Sequence, residues 1–329
     1  MFLSSDSGLT PHPMTGPSWE PRALLTAWPG NRLVQSRRLL HFLAVVDHRG
    51  ITAAANILHI SQPALTKSIR QLEERLGVKL FERLPTGVVP TRYGEILARR
   101  VRLMNLEFDH AVAEIDAVRG GTSGTVHIGG GPVWMVKFLP PAIAELCRQR
   151  PGIKVKLTSG VINTLVPALL GGEIDIICTT LDFPNHPELV KEHLVDISHV
   201  VVARDRHPFA SRKLVTPKDL LGYPWVVLRD DQVGRGRLGS FFAANDLKPP
   251  PIAAESSSAT SILHLLKEGD FLGHIPDPML PLANALGLVK LPVKGTFWHS
   301  SAGIAYRATQ HPLPAVTGLR GILRAMFKT

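Results

Sequence analysis

The run Ser61-Gln62-Pro63-Ala64-Leu65-Thr66-Lys67-Ser68-Ile69-Arg70-Gln71-Leu72-Glu73-Glu74-Arg75-Leu76-Gly77 has the marks of a helix with two unlike faces. Ser61 can cap its first turn, and Pro63 stands where a missing N–H costs nothing. Leu65, Ile69, Leu72 and Leu76 recur at helical spacing and form the stripe to be buried. Gln62, Thr66, Lys67, Arg70 and Gln71 avoid that stripe. The outer face therefore offers amides and hydroxyls to base edges and cations to phosphates.

The flanks extend this pattern in both directions. Upstream, Leu39, Phe42, Val45 and Val46 mark a first helix that stops at Arg49-Gly50. Thr52 can cap a second, Ala53 to Leu58, whose alanines suit a close crossing, and His59-Ile60 make a short turn. Two short helices and a tight turn are what a helix-turn-helix needs to seat its second helix in a major groove. Downstream, an apolar strand leads into residues 83–91, where Pro85, Gly87 and Pro90 suit a hairpin wing. Arg83 and Arg92 stand at its ends, placed to reach phosphates or the minor groove. Between Arg32 and Arg92 there are ten Lys and Arg against four Asp and Glu, so this short segment holds +6 of the chain's net +10. A basic surface helix beside a hairpin would fit the same periodicity.

The ordered run Phe42-x-x-Val45, Gly50-x-Thr52-x-Ala54-Ala55, Leu58-x-x-Ser61-Gln62-Pro63-Ala64-x-Thr66-x-x-Ile69-x-x-Leu72-Glu73-x-x-Leu76-Gly77-x-x-Leu80-Phe81-x-Arg83, closing with Pro90-Thr91-x-x-Gly94, resembles the amino-terminal domain of the LysR-type bacterial transcriptional regulators. It departs at Ile51, where serine is more usual, and at Leu84-Pro85 in the wing. The resemblance implies a winged helix-turn-helix, a long linker helix, and an α/β bilobed effector domain of periplasmic-binding-protein type. It also implies double-stranded DNA at a promoter dyad as partner, self-association as a dimer and further to a tetramer, and RNA polymerase as a further partner.

From Tyr93 the apolar step becomes heptad-like. Tyr93, Leu97, Val101, Met104, Phe108, Ala111, Ile115 and Val118 keep one seam over about 26 residues, or roughly 39 Å of helix. Charged residues such as Arg99, Arg102, Glu107 and Asp109 occupy the other faces. A seam that cannot bury itself predicts pairing with its copy; folding back on the effector domain is the alternative. Gly120-Gly121-Thr122-Ser123-Gly124 reads as a hinge. The expected division is a disordered tail at 1–33, a DNA-binding domain at 34–92, a dimerisation helix at 93–119 and the hinge at 120–124. One effector lobe then takes 125–197 and 300–329, the other 198–299.

Strand-like and helical segments alternate after the hinge, and continuous apolar runs such as Ile174-x-Ile176-Ile177-Cys178 predict a parallel sheet with helical cover. Ligands in such folds sit between lobes, at strand carboxyl ends and helix amino ends. The candidate lining is Gly131, Pro132, Val133 and Trp134, then Val161, Thr180, Arg229, Ser256 and Ser257. Many members of the family carry Ser or Thr at the first of these turns, where this chain has Gly and Pro. Ser257 and Thr180 are expected to face each other and hold a small, anionic effector.

Of 329 residues, 44% are hydrophobic and 19% charged, which excludes global disorder. Two cysteines, Cys147 and Cys178, exclude a disulfide scaffold and point to a reducing cytoplasm. The proline-rich start lacks an apolar core for a signal peptide, and no run is long enough to cross a bilayer, so a soluble protein without membrane contact is expected. Catalytic motifs, dinucleotide fingerprints and paired metal-ligand spacings are absent, and His199, His207, His264 and His274 read as scattered structural residues. No enzyme activity, metal or cofactor beyond the effector is expected. A transport-type binding protein and an architectural DNA-binding protein are the alternatives to an effector-controlled regulator.

Overall fold

The computed structural model describes residues 31–84, 87–118, 124–295, 297–308 and 313–328. The chain forms two compact units, with the break between Ala98 and Arg99. In the first, α1 (Asn31–His48), α2 (Ile51–Ile57) and α3 (Gln62–Leu76) precede a hairpin of β1 (Phe81–Leu84) and β2 (Gly87–Pro90), and α4 (Arg92–Val118) begins there. Helix α1 takes in Asn31 to Leu33, which the sequence assigns to the tail; residues 1–30 lie outside the described residues, as do residues 119–123 of the expected hinge, and Gly124 opens a strand.

The motif residues have visible reasons. Ser61 Oγ accepts from Ala64 N, and Gly77 ends α3 at φ +68°, where a side chain is disfavoured. Ala54 and Ala55 are buried at the α2 crossing. Glu73, 9% exposed, accepts from Leu80 N at 2.9 Å and from Lys79 Nζ at 2.8 Å, so it ties the end of α3 to the strand that follows. Thr91 Oγ1 donates to Lys79 O at 2.8 Å and accepts from Gly94 N at 3.1 Å. A Cβ on Gly94 would meet Leu80 O at 2.2 Å, so only glycine fits there. Two expectations are corrected. Thr52 does not cap α2, which starts two residues earlier than expected, at Ile51 after Gly50, without a side-chain cap, and Leu76, expected in the buried stripe, is 46% exposed.

In the second unit, β3 (Gly124–Gly130), β4 (Ile153–Ser159) and β5 (Ile176–Thr180) are parallel. Between them lie a π-turn at Trp134–Phe138, α5 (Leu139–Gln149) and α6 (Ile162–Leu170). The sequence predicts one helix over Val133 to Gln149. Pro140 and Pro141 remove two donors there, and the first turn widens accordingly.

Strand β6 (Leu189–Arg204) is sixteen residues long and leaves this lobe for the other. There β7 (Trp225–Leu228), α7 (Gln232–Ala243), β8 (Ile252–Ser256), α8 (Ala259–Glu268), β9 (Gly273–Pro276), α9 (Leu280–Ala285) and β10 (Leu288–Lys290) follow. Strand β11 (Trp298–Arg307) returns, and α10 (Pro314–Phe327) ends the described chain. The expected parallel pairing holds for β3, β4 and β5, within a mixed sheet of order β10-β6-β11-β5-β3-β4, with β9 also on β6. Strands β6 and β11 pair antiparallel along their length, from Trp298 opposite His199 to Arg307 opposite Leu189, with a bulge at Ala302/Gly303. A Cβ on Gly303 would meet Glu192 O at 2.0 Å, which explains the glycine at the bulge.

One apolar core, including Val126, Ile128, Trp134, Ile176, Val226 and Ile262, reaches into both lobes; a second, around Trp225, Phe242 and Phe297, belongs to the β7–β8 lobe. Cys178 is fully buried and burial pushes its thiol far up, so it is a packing residue and not a redox centre.

Candidate functional site

The outer face of α3 keeps the chemistry read in its sequence. Gln62, Pro63, Thr66, Lys67, Arg70, Gln71 and Glu74 line one shallow surface depression. Gln62, Pro63, Lys67 and Arg70 are exposed, Thr66 and Gln71 half-buried. The depression follows from α3 burying Leu65, Ile69 and Leu72 on its other side. Arg70 Nε donates to Glu74 Oε1 at 2.7 Å, which fixes the guanidinium along the helix. Arg92 is exposed at the start of α4, and Arg83 stands opposite Val88 in the hairpin, its side chain outside the described residues.

The second site is the inter-lobe cleft, a narrow space of about 100 Å³ that opens to solvent. Gly131, Pro132, Val133, Trp134, Val161 and Thr180 line it. The N–H of Gly131 already donates to Cys178 O at 2.8 Å, so it is not a free anion donor. Arg229, Ser256 and Ser257 do not line the cleft. Arg229 lies 3.6 Å from Asp230, and its N–H donates to Ser256 O. The serine run is a capping device: Ser258 Oγ accepts from Ser261 N at the start of α8, and Ser256 Oγ accepts from Ser258 N, while Ser257 is exposed. Thr180 thus stands in the lining and Ser257 outside it.

What the sequence leaves unmarked is the polar centre. His199 on β6, His274 on β9, Trp298 and Ser300 on β11, and Asp231 and Arg237 at α7 share this lining. Trp298 stacks on His199 at 4.9 Å and meets His274 edge-on at 4.7 Å, and the two imidazoles are 5.7 Å apart. Burial, reinforced by His274, Arg237 and His299, pulls the His199 pKa down to about 3. Burial also lowers that of His274, against the opposing pull of Asp231. Both rings are neutral at pH 7. Arg237 reaches Asp182 of the opposite lobe at 3.7 Å. The histidines are 75 residues apart in sequence, and only the antiparallel pairing of β6 with β9 brings them together.

A helix-turn-helix with a basic outer face, followed by two α/β lobes around a cleft, defines an effector-responsive DNA-binding regulator. Residues 36–95 match the model of the bacterial regulatory helix-turn-helix proteins of the LysR family, and residues 119–328 match the LysR substrate binding domain, so the chain belongs to the LysR family of transcriptional regulators. It is 29% identical over 295 residues to the HTH-type transcriptional regulator PcaQ of Agrobacterium fabrum (strain C58 / ATCC 33970), covering 89% of this chain and 95% of that protein. It is 31% identical over 251 residues to the HTH-type transcriptional regulator GbpR of Azospirillum brasilense, covering 74% and 73%. The fold is also that of CbnR, a LysR family transcriptional regulator, with a TM-score of 0.63 at 22% identity over 89% of this chain and 99% of that one. The chain is thus a DNA-binding transcriptional regulator with effector-binding lobes. Among the described residues, no helix is long and apolar enough to cross a membrane, and no group of three or more His, Cys, Asp and Glu could hold a metal.

Proposed function

We propose that this regulator grips a promoter dyad as a dimer in the cytoplasm and changes that grip when a small anionic molecule enters the inter-lobe cleft. The observation that carries the reading is the basic, hydrogen-bonding face of α3 on the same chain as a lined cleft. Gln62 and Thr66 read base edges, with Pro63 setting the approach of the helix, while Lys67, Arg70, Gln71, Arg83 and Arg92 hold phosphates. The likeness to CbnR, which has been crystallised in full length with its target DNA, supports the placement.

Helix α4 supplies the dimer. Tyr93, Met104, Phe108 and Ile115 are 57, 61, 55 and 60% exposed on the single chain, an apolar row with a copy of itself as the natural cover. Leu97, half-buried, lies on the same row, whereas Val101, expected in the seam, is 2% exposed and already buried within its own chain, so it is not free to pair with a copy. Effector lobes then join two dimers into a tetramer, and RNA polymerase is the partner through which the bound protein acts. The working division is residues 34–92 for DNA, 93–119 for pairing, 125–197 with 300–329 for one lobe and 198–299 for the other.

Footprinting the purified full chain on the DNA upstream of its own gene tests the reading. A discrete protected dyad is expected. Continuous, sequence-independent protection would mark an architectural protein, and no protection would leave only the binding lobes.

A further inference from the structure

The inter-lobe cleft holds more hydrogen-bonding capacity than the protein uses. Both ring nitrogens of His199, Nδ1 of His274 and Nε1 of Trp134 are buried without a hydrogen-bond partner among the described residues. Such atoms cost free energy in a folded protein unless something met there satisfies them. The groups that converge include two pure donors, the Trp134 indole N–H and the Arg237 guanidinium, beside one N–H and one bare nitrogen on His199, Nδ1 of His274 and the Thr180 hydroxyl, which can each donate or accept. Among the described residues, the carboxylate in the lining is Asp231, whose Oδ1 already accepts from Gly234 N at 2.9 Å to cap α7. A ligand complementary to this set is rich in acceptors and negatively charged. The remaining wall, including Val133, Val161, Ile162, Val227 and Leu228, is apolar and calls for a hydrocarbon body.

We propose that His199 and His274 determine the specificity of the cleft, selecting a small carboxylic acid that enters as its anion together with one proton from solvent. The inference rests on the regulator reading above and assigns the ligand class and its proton linkage to that site. The proton settles on an imidazole nitrogen facing the carboxylate, and no other bond forms or breaks. Before binding, each imidazole faces groups that keep it neutral. His199 has its partner ring on β9, His299 on β11 held by Ser198 Oγ at 2.9 Å, and Arg237 on α7, all opposing a positive charge. His274 faces His199, the rings of Phe297 and Trp298, and Asp231, whose charge alone favours protonation. A carboxylate placed between Arg237 and the two rings reverses that balance, because an opposite charge within a few ångströms favours the charged imidazole. Arg237 can turn to it, being held by Asp182 only at 3.7 Å.

The test titrates full-length protein with four probe acids, acetate, hexanoate, benzoate and 3-hydroxybenzoate, and with their amides, at pH 6 and pH 8. Tryptophan fluorescence reports binding, and calorimetry in buffers of different ionisation enthalpy counts protons. At least one acid is expected to bind while its amide does not, at least tenfold more tightly at pH 6 than at pH 8, with uptake approaching one proton. His199→Gln should abolish most of the pH dependence while leaving the melting temperature near the parent's, and His274→Gln tests the second ring. Arg237→Gln should weaken the acid at both pH values. Affinity that ignores pH, amides that bind as well as acids, proton uptake unchanged in both histidine variants, or no binding by any of the four acids would each overturn the proposal. Footprinting of the same preparation separates the two failures: a retained dyad without acid binding removes this inference alone, and a lost dyad removes the regulator reading.

Discussion

At the scale of single residues, the α3 face separates positioning from reading. Gln62→Ala should cost about 1 to 3 kcal/mol on the specific site and little on random DNA, since a lost base contact removes only discrimination. Lys67→Ala and Arg70→Ala should weaken both and lower the salt slope by about one each, because a phosphate contact releases counterions on any sequence. Fluorescence anisotropy across a salt series measures both, and equal losses on the two DNAs for Gln62→Ala would assign it to positioning. Glu73 has a different duty. Its carboxylate satisfies Leu80 N inside the fold, so Glu73→Ala leaves a buried N–H unpaired. A loss of about 1 to 3 kcal/mol in the stability of the amino-terminal unit is expected by denaturant melts.

Elements differ in how plainly the sequence announces them. Helix α3 was legible because its cap, its apolar stripe and its terminal glycine all agree, and Ile162–Leu170, Ile252–Ser256 and Ala259–Glu268 fall where their patterns place them. In strand β6 the strand pattern is legible only from Val195, because Lys191, Glu192 and His193 break the alternation that betrays a strand. Helix α9, six residues long, is too short to show a helical period in sequence. The cleft was half legible: the turns after β3 and β4 could be located by strand order, whereas His199 and His274 depend on the pairing of two distant strands. The serines are ambiguous in sequence, because a capping run and an anion-gripping run have the same composition, and the structure shows the capping bonds of Ser256 and Ser258. For α4, exposed Phe108 is the informative position. Phe108→Lys should shift the species seen by light scattering from tetramer or dimer toward the 36 kDa chain and reduce operator affinity at least tenfold, since paired half-sites act through effective concentration. An unchanged mass would move the dimer contact elsewhere.

For the whole molecule, the buried imidazoles link stability to pH in a definite direction. Their folded pKa values lie below the ordinary histidine value near 6.5, so the unfolded chain binds more protons below that pH. Stability from this source is complete above pH 6.5 and falls as the pH drops toward 4, by up to ~1.4 kcal/mol per pH unit for each ring. Thermal melts followed by tryptophan emission should show the midpoint dropping over that window, with a shallower slope in His199→Gln. An effector anion that supports the protonated form would flatten it too.

The two lobes share β6 and β11, hydrogen-bonded to each other from Trp298 and His199 onward, with a bulge at Ala302/Gly303. Such a joint is a ribbon and not a pair of loose strings. A ribbon bends poorly across its width but winds readily about its length, and a bulge is where winding concentrates. Ligand entry should therefore be felt as torque: one lobe turns relative to the other like the two ends of a torsion bar.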